Sequence, residues 1–252
     1  MEKTVLITGA TSGIGEATSR LLAKDRMRLI LCGRRREKLE KLQQELSLET
    51  EIHILSFDVR DRESVFQSIA SLPARFKTVN VLINNAGNAH GFDYIQDGNL
   101  DDWDAMIDSN VKGLLYVSKA VLPGMIERKE GHIINIGSVA GKEVYPRGNV
   151  YCASKYAVDA ISTGMRIDLN SQGIKVSQIN PGMVDTEFSM VRFKGDTARA
   201  SNVYKGMKPL TGEDIADVIR FMITRPSHVN LVDVVIFPAA QASATMVHRS
   251  EE

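Results

Sequence analysis

The chain has 252 residues, of which 43% are hydrophobic and 25% charged, so it can bury the core of one large α/β domain. Basic and acidic residues both number 31, and this balance argues against nucleic acid as a partner. The two cysteines, Cys32 and Cys152, are too few for a disulfide framework and suit a reducing compartment. The N-terminal residues lack the apolar stretch of a signal peptide, and no apolar run approaches the roughly 18 residues of a membrane span. We therefore expect a cytoplasmic protein without a membrane partner.

Short apolar runs alternate along the chain with segments of helical period, the pattern of parallel strands joined by crossover helices. The pattern predicts strands at 4–8, 28–32, 51–57, 79–83, 132–136, 175–180 and 232–237. It predicts helices at 13–24, 36–46, 62–70, 102–128, 150–172 and 213–224. These elements predict one α/β domain over residues 1–252, a doubly wound, seven-stranded parallel sheet with three helices on each face.

The segment 183–209 breaks this pattern. It is long and polar, carries charges of both signs, and follows Pro181-Gly182. We expect it to extend over a site as a substrate lid and not to belong to the sheet.

A glycine-rich turn follows the first predicted strand and opens the first helix. Small residues let a pyrophosphate approach the backbone, and a helix N-terminus offers free N–H groups and a favourable dipole. Glycines also serve tight turns for steric reasons alone. The position directly after the first strand favours a dinucleotide site, whose candidate contacts are Gly9, Thr11, Ser12, Gly13, Ile14 and Gly15.

Gly33, Arg34 and Arg35, at the end of the second predicted strand, indicate which dinucleotide binds. An acidic residue at this position accepts the ribose hydroxyls of NAD, whereas an arginine accommodates the additional phosphate of NADP. A guanidinium binds that phosphate with two charged hydrogen bonds, and a carboxylate would repel it. The arginines could also be a solvated helix start, although the helix dipole disfavours cations there. The sequence therefore favours NADP(H).

Two further strand ends supply candidate cofactor contacts. Asp58 and Val59 follow the third strand, where the carboxylate either accepts a hydrogen bond from adenine or caps the next helix. Residues 84–87 end the fourth strand at the carboxyl edge of the sheet, where ligands bind. Their amides either bind a ligand or tie neighbouring strands together, and the candidate contacts are Asn85, Ala86 and Gly87.

Tyr151 and Lys155 lie four residues apart at the start of a predicted helix and therefore share one helix face. A phenol with a pKa of about 10 must become more acidic by roughly three units to transfer protons near neutrality. One cation about 4 Å away supplies up to about that shift at an effective dielectric near 20. We expect Lys155 and the oxidised nicotinamide to lower the pKa of Tyr151. Since Tyr-x-x-x-Lys is also common on helix surfaces, its interpretation depends on neighbouring motifs.

Ser138 and Asn110 complete the candidate catalytic group. Ser138 follows the fifth strand, so its hydroxyl lies at the same sheet edge and can bind the substrate oxygen while Tyr151 transfers the proton. Asn110 lies inside the predicted helix 102–128, where asparagine is a poor helix former. Its amide either holds a water for a proton relay to Lys155 or packs between helices.

In this order along nearly the whole chain, the motifs resemble those of the short-chain dehydrogenase/reductase family. The resemblance rests on the glycine turn, residues 84–87, Asn110, Ser138, Tyr151, Lys155 and Pro181-Gly182. It implies a Rossmann-type sheet, hydride transfer between a nicotinamide and an alcohol or carbonyl carbon, and usually a homotetramer. It also implies that Lys155 binds the nicotinamide ribose and that further cofactor contacts follow the sixth strand, at Pro181, Gly182, Val184 and Thr186.

Three stretches resemble one subgroup more narrowly: 145–151, 186–189 with 191–196, and 237–238 with 241–243. This subgroup is the NADP-dependent 3-hydroxy acid dehydrogenases, which oxidise serine and L-allo-threonine and reduce malonic semialdehyde. Because a 3-hydroxy acid carries a carboxylate, its pocket needs a cation. Arg147 and Arg192 are the candidates, and each is otherwise a solvated surface arginine.

Two alternatives stay open. A broad-specificity, NADPH-dependent carbonyl reductase acting on uncharged ketones would share the catalytic residues and need no carboxylate anchor. A non-catalytic NADP-binding sensor is a different class, and the set of Ser138, Tyr151 and Lys155 argues against it because a sensor has no use for a tuned phenol. The five histidines show no paired ligand spacing, so no metal site is expected.

Overall fold

The computed structural model describes residues 3–250 and contains one sheet of seven parallel strands. The strands are β1 (Thr4–Thr8), β2 (Arg28–Gly33), β3 (Ile52–Ser56), β4 (Val81–Asn84), β5 (Gly131–Ile136), β6 (Ile174–Pro181) and β7 (Asp233–Ile236). Their order across the sheet is β3-β2-β1-β4-β5-β6-β7. The predicted doubly wound parallel sheet is confirmed, and the strand boundaries shift by one or two residues because the strands end where pairing ends.

The longer helices lie between the strands. They are α1 (Gly13–Lys24), α2 (Arg36–Leu46), α3 (Arg62–Ala70), α4 (Leu100–Ile107), α5 (Leu114–Arg128), α6 (Asn149–Leu169) and α9 (Gly212–Ile223). Two short helices, α7 (Phe188–Arg192) and α8 (Thr197–Asn202), lie within the 183–209 segment. That segment was predicted to lie outside the sheet, and it does.

Alternate residues of each strand supply two apolar cores, one on each face of the sheet. Val5 and Ile7 of β1 point to the side covered by α1, α2 and α9, whereas Leu6 points to the side covered by α3, α5 and α6. Because both faces are covered, the inner strand β1 is buried along its whole length. The predicted three helices on each face are thereby confirmed.

The predicted helix 102–128 is not continuous. A π-helical turn at Asp108–Gly113 separates α4 from α5 and holds Asn110. Gly113 lies against the Val59 side chain, and a Cβ on it would come within 2.7 Å of a methyl of that valine. Single π turns inside α-helices frequently mark functional sites. Helical periodicity alone does not reveal such a turn, because it adds only one residue to the pattern.

The direction in which the chain adds strands to the sheet reverses between β1 and β4: β2 and β3 lie on one side of β1, and β4 to β7 lie on the other. Strand β1 leads into α1 on one face of the sheet. The loops after these strands separate there and leave a crevice at the carboxyl edge, where doubly wound sheets bind their ligands. No helix within residues 3–250 is long and apolar enough to cross a membrane.

Candidate active site

A cleft of about 680 Å³ opens at the carboxyl edge of the sheet, a size typical of small-molecule sites. Segments after all seven strands contribute to its walls, and the 183–209 segment covers one side. Most residues that the sequence nominated line this cleft: Gly9, Thr11, Ser12, Gly13, Ile14, Arg34, Arg35, Asp58, Val59, Asn85, Ala86, Gly87, Ser138, Tyr151, Lys155, Pro181, Gly182, Val184, Thr186 and Arg192. Gly15, Asn110 and Arg147 are not among the lining residues.

The glycine turn presents a helix N-terminus to the cleft. Gly9 and Gly13 adopt positive φ angles of 65° and 52°, which favour glycine. Ser12 precedes α1 without capping it through its side chain, so the N-terminus of α1 can bind an anion. Gly15 serves packing, because a Cβ there would lie 2.3 Å from the Gly9 carbonyl oxygen. This turn fits a pyrophosphate.

The two arginines after β2 differ in their surroundings. The Arg35 guanidinium donates to the Thr11 hydroxyl at 3.0 Å and to the Thr11 carbonyl at 3.1 Å, and it also pairs with Glu187 at 2.8 Å. The Arg34 side chain is 64% exposed, and its nearest carboxylate, Asp58, lies 3.7 Å away. Arg34 is therefore the freer of the two for binding a phosphate. Because Gly33 offers no carboxylate to repel that phosphate, the residues present fit NADP(H).

The polar residues after β3 and β4 mostly hold the protein together. Asp58 accepts two hydrogen bonds from the Arg60 guanidinium, and Asp61, not Asp58, caps α3. The helix-cap alternative for Asp58 is therefore wrong. Asn84 donates to Ser118 and Asn135, both at 2.9 Å, so its amide ties β4 to its neighbours.

Asn85 closes the bottom of the cleft. Its amide donates to the carbonyls of Thr8 and Gly9 at 3.0 and 3.1 Å, which joins the end of β4 to the glycine turn. The Thr8 hydroxyl accepts the backbone N–H groups of Asn85 and Ala86. The side-chain hydrogen bonds of these amides therefore tie neighbouring strands together, as one of the two alternatives predicted. Residues 85–87 themselves line the cleft.

Tyr151 and Lys155 occupy the first turns of α6, and both are 8% exposed. The Lys155 Nζ lies 5.9 Å from the centroid of the Tyr151 ring and donates to the Ile136 carbonyl at 2.9 Å. Ser138, directly after β5, forms a side-chain hydrogen bond with Tyr151. The structure therefore brings Ser138, Tyr151 and Lys155 together at one end of the cleft.

The acidity of Tyr151 depends on its burial as well as on its neighbours. Burial raises the pKa of this phenol. The Ser138 hydrogen bond and the positive charge of Arg192 act in the lowering direction. Burial also lowers the pKa of Lys155, to about 8. Helical spacing fixes the side-chain face but says nothing about how deeply both groups are buried, and the lowering of the Tyr151 pKa by Lys155 together with the oxidised nicotinamide stays a prediction.

The Asn110 amide is fully engaged within the protein. Its Nδ2 donates to the Asn88 carbonyl at 2.8 Å and to the Ser154 hydroxyl at 3.0 Å, and its Oδ1 accepts the Asn88 N–H at 2.8 Å. These hydrogen bonds join the π turn to α6 and to the loop after β4 that contains Asn88. Of the two alternatives for this amide, the structure shows the packing role.

Arg192 and Arg147 share one aromatic neighbour, Phe92. Their guanidinium carbons lie 4.6 and 4.8 Å from its ring centroid. Arg192 also lies 5.6 Å from the Tyr151 ring and donates to the Tyr145 hydroxyl at 3.1 Å. Arg147 is exposed, has a positive φ of 63°, and lines only a small neighbouring depression. Arg192 is therefore the cation at the catalytic end of the cleft.

Several cleft residues carried no signal in the local spacing or periodicity of the sequence. Phe188 packs edge-on against Tyr151 at 5.6 Å, and Glu187 pairs with Lys38 at 2.9 Å as well as with Arg35. Gln241, in the C-terminal tail, accepts the Met183 N–H. The stretches 186–189 and 241–243 were singled out by resemblance, which is the only signal that could have found these residues.

The two ends of this cleft, one suited to a pyrophosphate and one to proton transfer, belong together in oxidoreductases that use a dinucleotide cofactor. The fold and the site define this class. A family model described as short chain dehydrogenase matches residues 3–197, more than half of the chain. The chain belongs to the short-chain dehydrogenase family.

Individual relatives match nearly the whole chain. The NADP-dependent 3-hydroxy acid dehydrogenase of Salmonella typhi is 45% identical over 248 residues, which cover 98% of this chain and 99% of that protein. Sulfoacetaldehyde reductase 2 of Chromohalobacter salexigens is 45% identical over 251 residues, which cover 99% and 100%. A serine dehydrogenase solved in its closed form with NADP⁺ is 44% identical, with a TM-score of 0.92 over 98% of this chain and 100% of that one.

The Glu187 ion pairs yield a prediction about the 183–209 segment. Since all three partners are about half exposed, Glu187→Gln should loosen the segment by less than about 1 kcal/mol, which corresponds to roughly two- to fivefold faster tryptic cleavage within it. Arg35 lowers the pKa of Glu187, so the wild-type protection should persist at neutral pH and fade as pH falls through that lowered value. The exposed Glu213→Gln is the control, and equal cleavage rates for both variants would contradict the prediction.

Proposed function

We propose that the protein is an NADP(H)-dependent oxidoreductase that transfers hydride between nicotinamide and the hydroxyl-bearing carbon of small 3-hydroxy acids. Serine, L-allo-threonine and 3-hydroxypropionate, with malonic semialdehyde as the product of the last, are the proposed substrates. The observation that carries this proposal is Arg192, a half-buried cation 5.6 Å from the ring of Tyr151. A carboxylate bound there would hold the neighbouring carbon near the phenol.

The substrate class is also supported by two relatives. Their names specify a 3-hydroxy acid and sulfoacetaldehyde, which both pair a reacting oxygen with an anionic group. An uncharged ketone carries no group that pairs with the Arg192 guanidinium, whereas the carboxylate of a hydroxy acid does. The hydroxy acid is therefore favoured over the ketone.

NADP(H), held by the glycine turn and by the arginines after β2, would supply or accept the hydride. Tyr151 donates its phenolic proton to the carbonyl oxygen during reduction and accepts the hydroxyl proton during oxidation. Ser138 binds the same oxygen and orients it toward the phenol. Lys155, with a pKa of about 8, can exchange a proton near neutrality and restore the protonation state of Tyr151. Arg34, with Arg35 behind it, would hold the 2′-phosphate of the cofactor.

The first test replaces Tyr151 by phenylalanine. Without the hydroxyl, turnover of serine with NADP⁺ should fall about 10²- to 10⁴-fold, because general acid–base catalysis contributes about that much. NADPH binding, followed by its fluorescence, should stay within a few-fold of wild type. Wild-type protein that binds NADPH but turns over no hydroxy acid or carbonyl would instead indicate the sensor.

The second test concerns the cofactor. Gly33→Asp combined with Arg34→Gln supplies an acceptor for the ribose hydroxyls and removes a phosphate contact. A Cβ on Gly33 has only ordinary contacts, the nearest at 3.4 Å from Thr11, so the aspartate can be accommodated. NADPH should bind about 10- to 100-fold more weakly and NADH more tightly, as measured by fluorescence titration. An unchanged ratio of the two dissociation constants would refute the role of Arg34.

The third test concerns the substrate anion. Arg192→Gln should raise KM for malonic semialdehyde and serine by about tenfold or more, because a charge-assisted hydrogen bond is worth about 1.5–3 kcal/mol. KM for an uncharged diketone should change little. Arg147→Gln is the comparison, and we expect the smaller effect there because that side chain is exposed. Equal losses on charged and uncharged substrates would rule out a carboxylate anchor.

We further propose a cytoplasmic homotetramer. Both cysteines are free and buried, which suits a reducing compartment. Two separate surfaces expose apolar side chains, one at the β7 edge with Val235 and Phe221, and one on α5 and α6 with Ile126 and Ile167. Two distinct self-complementary interfaces are what a tetramer with three twofold axes requires.

Light scattering tests the assembly. The wild-type mass should be four times the 27.8 kDa of the chain, and Val235→Glu and Ile167→Glu should each remove one interface and leave dimers. A wild-type monomer at micromolar concentration would exclude the tetramer.

A further inference from the structure

We propose that Arg192 tunes the acidity of the Tyr151 phenol, so that placing α7 over the cleft prepares the tyrosine for proton transfer. Arg192 acts here as a positioning residue, through its charge. This inference rests on the proposed proton transfer by Tyr151, and it does not depend on the substrate carrying an anion.

The Arg192 guanidinium is held in place from several sides. Its carbon lies 4.6 Å from the Phe92 ring, and 5.6 Å from each of the Tyr145 and Tyr151 rings. Its Nη2 donates to the Tyr145 hydroxyl at 3.1 Å, and its backbone carbonyl accepts the Gly91 N–H at 3.0 Å. Stacking on aromatic rings leaves a guanidinium less hydrated than it is in water, so its field acts more strongly on neighbouring groups.

The other titratable groups around Tyr151 do not supply a permanent positive charge. Lys155, on the same helix, donates to the Ile136 carbonyl, and burial lowers its pKa to about 8. Tyr145, from the loop before α6, and Cys152, the next residue of the helix, have pKa values raised by burial and are neutral near pH 7. Because an arginine guanidinium is in general a permanent cation in proteins, Arg192 is the group that brings a fixed positive charge to the Tyr151 ring.

The direction of the effect follows from charge alone. Burial raises the pKa of Tyr151, and the positive charge of Arg192 opposes this rise. Removing the charge should therefore raise the pKa of the phenol further. The guanidinium carbon lies 5.6 Å from the centroid of the Tyr151 ring, and at a separation of that order, partly screened by solvent at the edge of the cleft, the shift should be on the order of one pH unit.

The experiment uses an uncharged diketone and the corresponding alcohol, because a bound carboxylate would itself neutralise Arg192. In alcohol oxidation with NADP⁺, kcat/KM rises with pH as the phenol loses its proton. Arg192→Gln should move this rise to higher pH by about one unit, which is about a tenfold loss of rate below the midpoint. In ketone reduction the fall of kcat/KM at alkaline pH should move in the same direction.

Two further variants separate charge from packing. Arg192→Lys keeps the positive charge, so the midpoint of its pH profile should lie close to the wild-type value. Arg199→Gln removes an arginine from the same segment, one stacked on Phe193 at 4.6 Å with no contact to Tyr151, and should leave the midpoint at the wild-type value. A structural defect of the segment would lower the rate of Arg192→Gln without moving its midpoint.

A second readout needs no substrate. In protein labelled with isotope-enriched tyrosine and saturated with NADP⁺, the ring resonance that is absent from Tyr151→Phe reports titration of this phenol directly, and Arg192→Gln should raise its midpoint. Superposable titrations of wild type and Arg192→Gln would overturn the inference. A raised KM for malonic semialdehyde without a moved midpoint would leave the proposed substrate intact and remove only the tuning role. If the midpoint moves but the protein is inactive on hydroxy acids, the tuning role stands and the proposed substrate is excluded.

Discussion

The site depends on the phenol of Tyr151, which is buried although its proposed role requires it to ionise. Tyr151 is nearly inaccessible to solvent, and its burial works against the charged form that hydroxyl oxidation needs. The surrounding groups oppose this cost from different elements: Ser138 by a hydrogen bond from the end of β5, and Arg192 by its charge from α7. Burial also lowers the pKa of Lys155, one turn further along α6. The proposed proton transfer would therefore depend on this assembled group and not on one tyrosine–lysine pair.

The sheet explains why these groups can meet. Both faces of a doubly wound sheet must be covered, so polar chemistry is confined to the loops at the ends of the strands. At the carboxyl edge, the Asn85 amide bonds the glycine turn to the end of β4, which holds the two halves of the cleft at a fixed separation. The Asn110 amide does the same for the π turn and α6. The hydrogen bonds of these two side-chain amides thus hold the glycine turn, the π turn and α6 together around the cleft.

Sequence reasoning located what depends on local spacing. The alternation of apolar runs gave the sheet and its helices, and the four-residue spacing put Tyr151 and Lys155 on one face. It could not show the π turn, which changes the pattern by a single residue, nor the sign of the Tyr151 shift, which is set by burial. Glu187 and Phe92 were missed because their partners lie more than 50 residues away in the chain, and no periodicity links such positions.

The 183–209 segment connects the two ends of the cleft through one five-residue helix. At the start of α7, Glu187 pairs with Arg35 and Lys38 beside the turn that receives the pyrophosphate. At its end, Arg192 lies over Tyr151. The ion pairs beside the glycine turn and the positive charge beside Tyr151 are therefore carried by one short stretch of the chain, so this segment bridges the two ends of the cleft.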